Sequence, residues 1–473
     1  MRDWDASLLA SASGARLLAA PSRSGPPAGP QGAGIDSRSL APGELFVGLS
    51  GERVDGGSYA GAALRAGAWG VLVAPAHAQA ALDAGGDGAV LVHEHPLSAL
   101  QALAHAWRGE LRARGAKLVA ITGSTGKTST KDILAALLGP QRRTVASREN
   151  FNTEIGLPLA LLGAPGDTEA LVLEMAMRGP GQIAELVAIA EPDVGVIVNV
   201  GPAHLERLGS LEAIAAAKAE LIAGMAAGAT AVVPVSEPLL QRHLRADLET
   251  VTFGAGGDVS LQERLGDGGL VIADGGESMI VYPSFTAAHQ LSNLLAAVAA
   301  ARALGVTPQG ALEVRFAALR GERLELPGDV VLIDDCYNAN PMSMRAAIDE
   351  LAETAPARRV AVLGDMLELG PEAPAYHREI GSYAGARGVE LLVAVGPLAA
   401  EMCTSFSGEA HAVADAAAAA ELMGALLRDH DTVLVKGSRG VGLERVAEAL
   451  AGASAEREPE RLSLAPSDGR GRR

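Results

Sequence analysis

LVAITGSTGKTSTKDILAALL, Leu118 to Leu138, joins an apolar run to a helical pattern through two glycines and a cluster of hydroxyls. The run "KLVAIT" reads as a buried strand, and Thr128–Leu138 as a helix that stops at Gly139-Pro140. Between them stand Gly123, Ser124, Thr125, Gly126, Lys127, Thr128 and Ser129. At such a junction the backbone N–H groups and the helix dipole favour an anion. Lys127 would reach the terminal phosphates of a nucleotide, and the Thr128 hydroxyl would ligate Mg2+. The usual phosphate loop has its first glycine five residues before the second. That place is Ile121 here, and the glycine comes at 123, so the loop is a shorter variant. The plain alternative is a glycine turn that caps a helix, which leaves the Lys-Thr pair unexplained.

Outward from this loop the alternation persists. The strand "ALVLEMA", a helix near Ile183–Ala190 and the strand "VGVIVNV" follow in turn. Continuous Val/Ile runs with helical crossovers are the mark of a buried parallel sheet, so a doubly wound α/β central domain is expected. Upstream, "ELFVGLSG" and "GVLVAP" flank a helical pattern at Tyr59–Ala66, which reads as a small α/β domain. Residues 250 to 285 are Gly-rich with short strands, ahead of a helix at His289–Leu304. A second series, "DVVLIDD", "RVAVLGD", "LLVAVG" and "TVLVKGS", suggests an independent Rossmann-like domain. It lacks the G-x-G-x-x-G fingerprint, so no dinucleotide site is indicated. The expected boundaries are 1–113, 114–324 and 325–455, with a charged, Pro/Gly-containing disordered tail at 456–473.

Composition agrees with this plan. A chain of 473 residues suggests roughly three domains at about 150 residues each. Hydrophobic residues are 48% but aromatics only 3%, so the cores are built from Ala, Val, Leu and Ile, which suits helices packed on parallel strands. A net charge of -17 opposes nucleic-acid binding, because Lys and Arg must outnumber acids where phosphates are held. Two cysteines, Cys336 and Cys403, show no metal spacing and no disulfide framework, which fits a reducing cytoplasm. Asp3 and Asp5 replace the basic start of a signal peptide, and no apolar run reaches the ~18 residues of a membrane span, so neither secretion nor membrane insertion is expected.

Three further residues carry chemistry. Glu174 ends "LVLEMA" at the carboxyl end of a strand, where ligands gather in open α/β sheets. His204 follows "VGVIVNVGPAH". Read singly, they are a solvated carboxylate and a satisfied loop histidine; with Thr128 they make one Mg2+ site. In "GSLEAIAAAKAELIAGM", Ser210 caps a helix whose apolar stripe Leu211, Ile214, Leu221 and Met225 contains Lys218. Periodicity alone favours a lysine that snorkels to water. The rival is a desolvated amine of lowered pKa, open to covalent modification.

Nine motifs in order then resemble one family, the Mur ligases of peptidoglycan synthesis. They are "GIDSRSLAPGELFVGLSGERVDG", "TGSTGKTSTKD", "NFNTEIGLPLALL", "LEMAMRGPGQIAEL", "NVGPAHLERLGSLEAIAAAKAEL", "HQLSNLLAAVAAA", "DDCYNANPMSM", "LGDMLELG" and "KGSRGVGLE", spread from about Gly34 to about Leu450. The resemblance implies a three-domain architecture: an N-terminal domain for a UDP-substrate, a central phosphate-loop ATPase with a parallel sheet, and a C-terminal Rossmann-like ligase domain. It implies that ATP and Mg2+ are used to join D-alanyl-D-alanine to UDP-N-acetylmuramoyl-tripeptide, by a monomer.

By the same resemblance, Gly123–Ser129 hold the ATP phosphates, Asn293 the adenine and Asp335 the ribose. Thr128, Glu174 and His204 serve Mg2+, together with Lys218 if it is carbamylated. Ser37 and Arg38 lie near the UDP moiety, Asn150, Asn152 and Thr153 grip the muramoyl-peptide, and Asn338 and Asn340 shape the dipeptide side. Gly57 stands where many relatives carry a histidine. The alternatives are a sibling ligase adding a diamino acid to the dipeptide precursor, a folylpolyglutamate synthase, and a non-catalytic nucleotide-binding scaffold of the cell-wall machinery. "DDCYNANPMSM" and "LGDMLELG" favour the dipeptide-adding branch, and a scaffold has no use for Lys127, Glu174, His204 and Lys218 together.

Overall fold

The computed structural model describes residues 1, 3–21, 28–148 and 151–452. The proposed tail at 456–473 and Asn150 lie outside them. The described chain forms two compact units. The first comprises Met1–Val200, Ala215–Phe285 and Ser292–Val314; the second comprises Gly201–Ile214, Thr286–Leu291 and the chain from Arg315 onward.

The first unit holds two sheets. One runs β1-β5-β4-β3-β2, with β1 Arg16–Ala19, β2 Ala33–Gly34, β3 Leu45–Val47, β4 Gly70–Val73 and β5 Ala89–Val92. All but β1 are parallel, so the loops after β2, β3 and β4 share one edge. The second sheet has ten strands in the order β15-β14-β13-β12-β11-β10-β9-β6-β8-β7. Its parallel heart is β6 Lys117–Thr122, β7 Thr144–Ala146, β8 Ala170–Glu174, β9 Val194–Ile197, β10 Thr230–Pro234 and β11 Glu249–Phe253. β8 and β9 are buried at every residue, as strands covered on both faces must be.

The Gly-rich stretch extends this sheet as β12 Val259–Arg264, β13 Leu270–Asp274 and β14 Glu277–Pro283, which pair antiparallel, before β15 Gly310–Leu312. β14 alternates buried Met279 and Val281 with exposed Ile280 and Tyr282, the pattern of a sheet open on one side. A single buried arginine anchors the start of the parallel heart. Arg108, from the helix Pro96–Ala113, donates to the carbonyls of Ala190 at 2.9 Å and Ala116 at 3.2 Å and pairs with Asp193 at 2.7 Å. Asp193 also accepts from the Leu118 amide at 2.9 Å, which sets the register of β6 beside β9.

The second unit holds the sheet β16-β17-β21-β18-β19-β20, with β16 Glu322–Leu326, β17 Val330–Asp334, β18 Arg359–Gly364, β19 Leu391–Val395, β20 Glu409–Val413 and β21 Thr432–Lys436. Only β16 is antiparallel. Successive residues of β17 and β18 enter opposite cores: Ile333 and Leu363 pack with Met344, Ile348 and Ile380, and Leu332 and Val362 with Met423 and Val446. The expected boundary between 324 and 325 falls inside β16. Among the described residues no helix is long and apolar enough to cross a membrane.

His377 is buried in this unit and pins the loop after β18. Its Nε2 accepts from the Met366 amide at 2.9 Å, while Nδ1 lies 2.6 Å from the Ala373 carbonyl and donates to it. Burial lowers its pKa, because a second ring proton would face the Met366 N–H. A folded-state pKa below the unfolded value of about 6.5 stabilises fully above that value and is lost as pH falls through the lowered one. Thermal unfolding from pH 7.5 down to 5 is therefore expected to show an acid loss of stability that is smaller in His377→Gln, whose side chain stays neutral. Parallel curves for the two proteins would remove His377 as a source of the acid sensitivity.

Candidate active site

The loop after β6 is organised before any ligand arrives. Gly126 has φ +75° and opens the helix Lys127–Leu138, and a Cβ there would run into the Asn293 side chain. Only glycine meets both demands. Gly123 is nearly as confined, since its Cβ would stand 3.0 Å from Val198. Lys127 Nζ lies 2.9 Å from the Gly123 carbonyl, folded back across the loop. Thr130 donates its hydroxyl to Asn293 Oδ1 at 3.4 Å, so Asn293, expected at the adenine, sits against the helix that follows the loop.

Beneath the loop lies a buried network. Thr128 donates its hydroxyl to Glu174 Oε2 at 2.7 Å, and Asn152 Nδ2 donates to Oε1 at 2.9 Å. The Glu174 amide donates to Ser147 Oγ at 3.1 Å, and Lys131 Nζ donates to the Ser147 carbonyl at 2.9 Å. Glu174 is only 2% exposed, which corrects the reading of it as a solvated strand-end carboxylate. A buried carboxyl group is tolerated because each oxygen has a donor. A hydroxyl and a carboxyl group side by side are hard oxygen donors of the kind Mg2+ prefers, so Thr128 and Glu174 fit that ion chemically.

Lys218 does not snorkel. It is 2% exposed on the helix Leu211–Gly224, and among the described residues no hydrogen bond or ion pair reaches its ammonium group. Burial drives its pKa well below the usual lysine value, and the charge of Lys127 pushes the same way. The apolar stripe of the helix carries this lysine inside, where burial disfavours its charged form.

The remaining expected residues find local partners within their own units. Thr153 Oγ1 accepts from the Gly156 amide at 3.3 Å, at the start of the helix Gly156–Gly163. Ser37 and Arg38 follow β2; Arg38 is exposed and grips Asp36 at 2.7 Å, and that hydrogen-bonded contact holds the Asp36 carboxyl down at about 2. In the second unit, Asp335 pairs with Lys436 Nζ at 2.7 Å, and the same ammonium donates to the Asn338 carbonyl at 3.0 Å. Asn340 caps the helix Pro341–Thr354, exchanging hydrogen bonds with Ser343 at 2.9 and 3.0 Å. His204 also belongs to the second unit, with Nδ1 against the Glu368 carboxylate.

Sequence reasoning passed over Asn199, two residues beyond β9. Its Oδ1 accepts from the amides of Ser124 at 3.0 Å and Thr125 at 2.9 Å, and its Nδ2 donates to Thr125 Oγ1 at 2.9 Å. An Asn inside "VIVNVGPAH" gives no periodic signal. Its meaning depends on β9 lying next to β6.

A strand–loop–helix anion site over a buried hydroxyl–carboxyl pair, in an α/β chain of three sheets, defines the class as a phosphate-loop nucleotide-binding protein. Comparison with known proteins narrows it. Residues 31–108 match the description "Mur ligase family, catalytic domain", residues 121–301 "Mur ligase middle domain" and residues 319–439 "Mur ligase, glutamate ligase domain". The chain belongs to the Mur ligase family, as the motif order suggested. It is 37% identical over 424 residues to the UDP-N-acetylmuramoyl-tripeptide--D-alanyl-D-alanine ligase of Synechocystis sp., covering 88% of this chain and 90% of that one. The crystal structure of MurF from Acinetobacter baumannii superimposes with a TM-score of 0.82 at 28% identity, covering 95% of this chain and 99% of that one. MurF ligase from Thermotoga maritima in complex with ADP gives 0.76 at 31% identity, covering 90% and 98%.

Removing the Asn199 side chain leaves two loop amides to organise themselves. Losing partly buried hydrogen bonds of this kind costs about 1–2 kcal/mol, roughly 5- to 30-fold in an equilibrium. Asn199→Ala is expected to raise the ATP dissociation constant within that range in a calorimetric titration. Binding unchanged from the parent would show that the loop holds its shape without Asn199.

Proposed function

We infer that this chain is an ATP-dependent ligase that joins D-alanyl-D-alanine to UDP-N-acetylmuramoyl-tripeptide, giving the UDP-linked pentapeptide precursor of peptidoglycan. The observation that carries the reading is the buried Thr128–Glu174 hydrogen bond beneath the Lys127 loop, with a buried Lys218 close enough to feel the Lys127 charge. The named activity of relatives aligned over about nine-tenths of both chains supplies the substrates.

The chemistry explains the parts. A carboxylate is a poor acyl donor because oxide would have to leave. The tripeptide carboxylate attacks the γ-phosphorus of ATP and the bond to ADP breaks, giving an acyl-phosphate. The amine of D-alanyl-D-alanine attacks that carbonyl, phosphate leaves, and the amine proton passes to solvent. Both partners of the first step are anions, so their approach needs positive charge at the loop. Lys127 supplies one such charge, and the N-terminus of its helix supplies partial charge and N–H donors. Thr128 and Glu174 would hold Mg2+, with His204 and a carbamylated Lys218 assigned to the same role. The ion, when bound, neutralises phosphate charge and aligns the transferring group.

A desolvated neutral amine is the form of Lys218 that can attack CO2, losing a proton to solvent and ending as a carbamate oxygen donor. Asn293 and Asp335 are assigned to adenine and ribose, Ser37 and Arg38 to the UDP portion, Asn152 and Thr153 to the muramoyl-peptide side, and Asn338 and Asn340 to the dipeptide side. Substrate, ATP and ligase roles fall to segments 1–113, 114–324 and 325–455 in that order. An acidic surface with a net charge of -17 suits a cytoplasmic monomer that avoids nucleic acid.

The test is phosphate release from ATP and Mg2+ with UDP-N-acetylmuramoyl-tripeptide plus D-alanyl-D-alanine, set against the dipeptide precursor plus free diamino acids. Release with the first pair only, with the pentapeptide seen by mass, is the expected outcome. Release with the second pair only would move the chain to the sibling activity, and silence with both would favour a scaffold.

Lys218→Ala is expected to reduce turnover by more than about 100-fold, beyond the effect of losing a group that merely supports a metal ligand. High bicarbonate should not restore it. Near-normal turnover would take Lys218 out of the mechanism.

A further inference from the structure

At the carboxyl edge of the N-terminal sheet an imidazole fills a space that its neighbour leaves open. β2, β3 and β4 run parallel, so the segments that leave them lie side by side. The segment after β2 carries Ile35, Asp36 and Arg38, and the one after β3 carries Val54, Asp55, Gly57 and Tyr59. His77 stands in the first turn of the helix Pro75–Asp83, directly after β4, and this helix packs on the turn Gly56–Tyr59. Gly57, which stands where many relatives carry a histidine, has no room for a side chain: a Cβ there would lie 2.2 Å from His77 Cδ2 and 2.8 Å from its Nε2. The ring rooted at 77 therefore occupies the space over position 57. Its Nε2 lies 3.0 Å from Asp55 Oδ2, and Asp55 also accepts from the Gly57 amide at 3.0 Å. The contact with His77 holds the Asp55 carboxyl below the usual carboxylate range.

A carboxylate only accepts hydrogen bonds, so the proton facing Asp55 sits on Nε2, and in the neutral ring Nδ1 keeps its lone pair. Cγ, Cδ2 and Nε2 are the atoms nearest Gly57, so the edge that holds Nδ1 is turned away from it. Among the described residues nothing bonds to Nδ1, and the side chain is 20% exposed. The surroundings show what an acceptor there can serve. Arg38 is paired with Asp36 and His77 with Asp55, which leaves little uncompensated charge for a diphosphate. Ile35, Val54 and Tyr59, by contrast, expose apolar surface at the same edge, and Arg38 lies close to Tyr59. An acceptor near an exposed aromatic ring suits a nucleoside, whose base can stack on such a ring. We propose that His77 is a uridine contact of the UDP-substrate: its Nδ1 accepts a hydrogen bond from the uracil imide N–H or a ribose hydroxyl. Asp55 fixes the tautomer that makes this possible. The proposal rests on the reading that segment 1–113 takes the UDP-substrate.

The test uses the full chain with its histidines labelled with nitrogen-15. On addition of UDP-N-acetylmuramoyl-tripeptide, the Nδ1 signal of His77, identified by its loss in His77→Gln, is expected to move to lower frequency, as a bare ring nitrogen does when it accepts a hydrogen bond. Calorimetry on His77→Gln gives a second readout. Its amide can still donate to Asp55 but offers no second ring nitrogen, so it is expected to bind the UDP-substrate about 3- to 10-fold more weakly, with ATP binding and the unfolding midpoint unchanged. A histidine that merely braces Asp55 would instead be replaced by Gln without loss of binding. UDP methylated at the imide nitrogen identifies the donor: the Nδ1 shift is lost with it if the imide N–H is the partner and kept if a ribose hydroxyl is. If the substrate binds while the Nδ1 signal stays in place, the contact is overturned and the assignment of the UDP portion to this segment survives. If the parent chain does not bind the substrate, that assignment falls and the proposal with it.

Discussion

A carboxyl group buried at the end of a strand must be supplied with donors or it will not stay there, and at Glu174 that requirement shapes the first unit. Thr128 meets one oxygen and Asn152 the other, while Ser147 takes the backbone amide. The two donors come from the helix after the phosphate loop and from the segment after β7, so two connections converge on one side chain, while the exit of β7 holds the backbone of the same residue. The convergence needs β8 to lie between β6 and β7, as it does. Register supplies the last condition: β6 is aligned on β9 by Asp193, itself held by fully buried Arg108. Truncating one partner of such a buried pair typically costs about 3–5 kcal/mol, so this remote contact underwrites the position of the loop.

Charge at the loop is arranged with equal economy. Lys127 and Lys218 influence each other unfavourably, and Lys218 is the one that yields, because burial already disfavours its ammonium form. Lys127 stays at the loop, against the Gly123 carbonyl, where an incoming phosphate would meet it. Asn199 meanwhile occupies the amides of Ser124 and Thr125. That leaves the helix N-terminus from Gly126 onward as the part of the loop able to turn N–H groups toward phosphate.

The strands β6, β8, β9, β17, β18, β19 and β21 were legible because a strand buried on both faces writes itself as a continuous Val/Ile run. β16 and β20 were not, because "ERLEL" and "EAHAV" are half-exposed edges whose pairing depends on a neighbour distant in sequence. The same distinction holds in the site. Lys127 and Thr128 declare themselves through local spacing, whereas Glu174 looked solvated and Lys218 looked able to reach water. Their burial is decided by what packs over them, information that no window of neighbouring residues contains. Asn340 shows the reverse case: Asn340-Pro341 with Ser343 is a capping box readable from four letters, and the structure uses it as one.

Backbone strain in the second unit follows a consistent logic. A non-glycine residue in the left-handed region costs about 1–3 kcal/mol, and His204 and Glu368 are both there. Two such residues facing each other persist only if the surroundings over-determine them. Here the surroundings do: the Glu206 amide on the Glu368 carbonyl, the Leu367 amide on Ser438 and the Met366 amide on neutral His377 each remove a route by which the loop could relax. Relaxation would return Glu368 to an ordinary turn and carry its carboxylate away from the imidazole. The strained turn is therefore held by its surroundings, and the buried His377 is one of the groups that keeps it there.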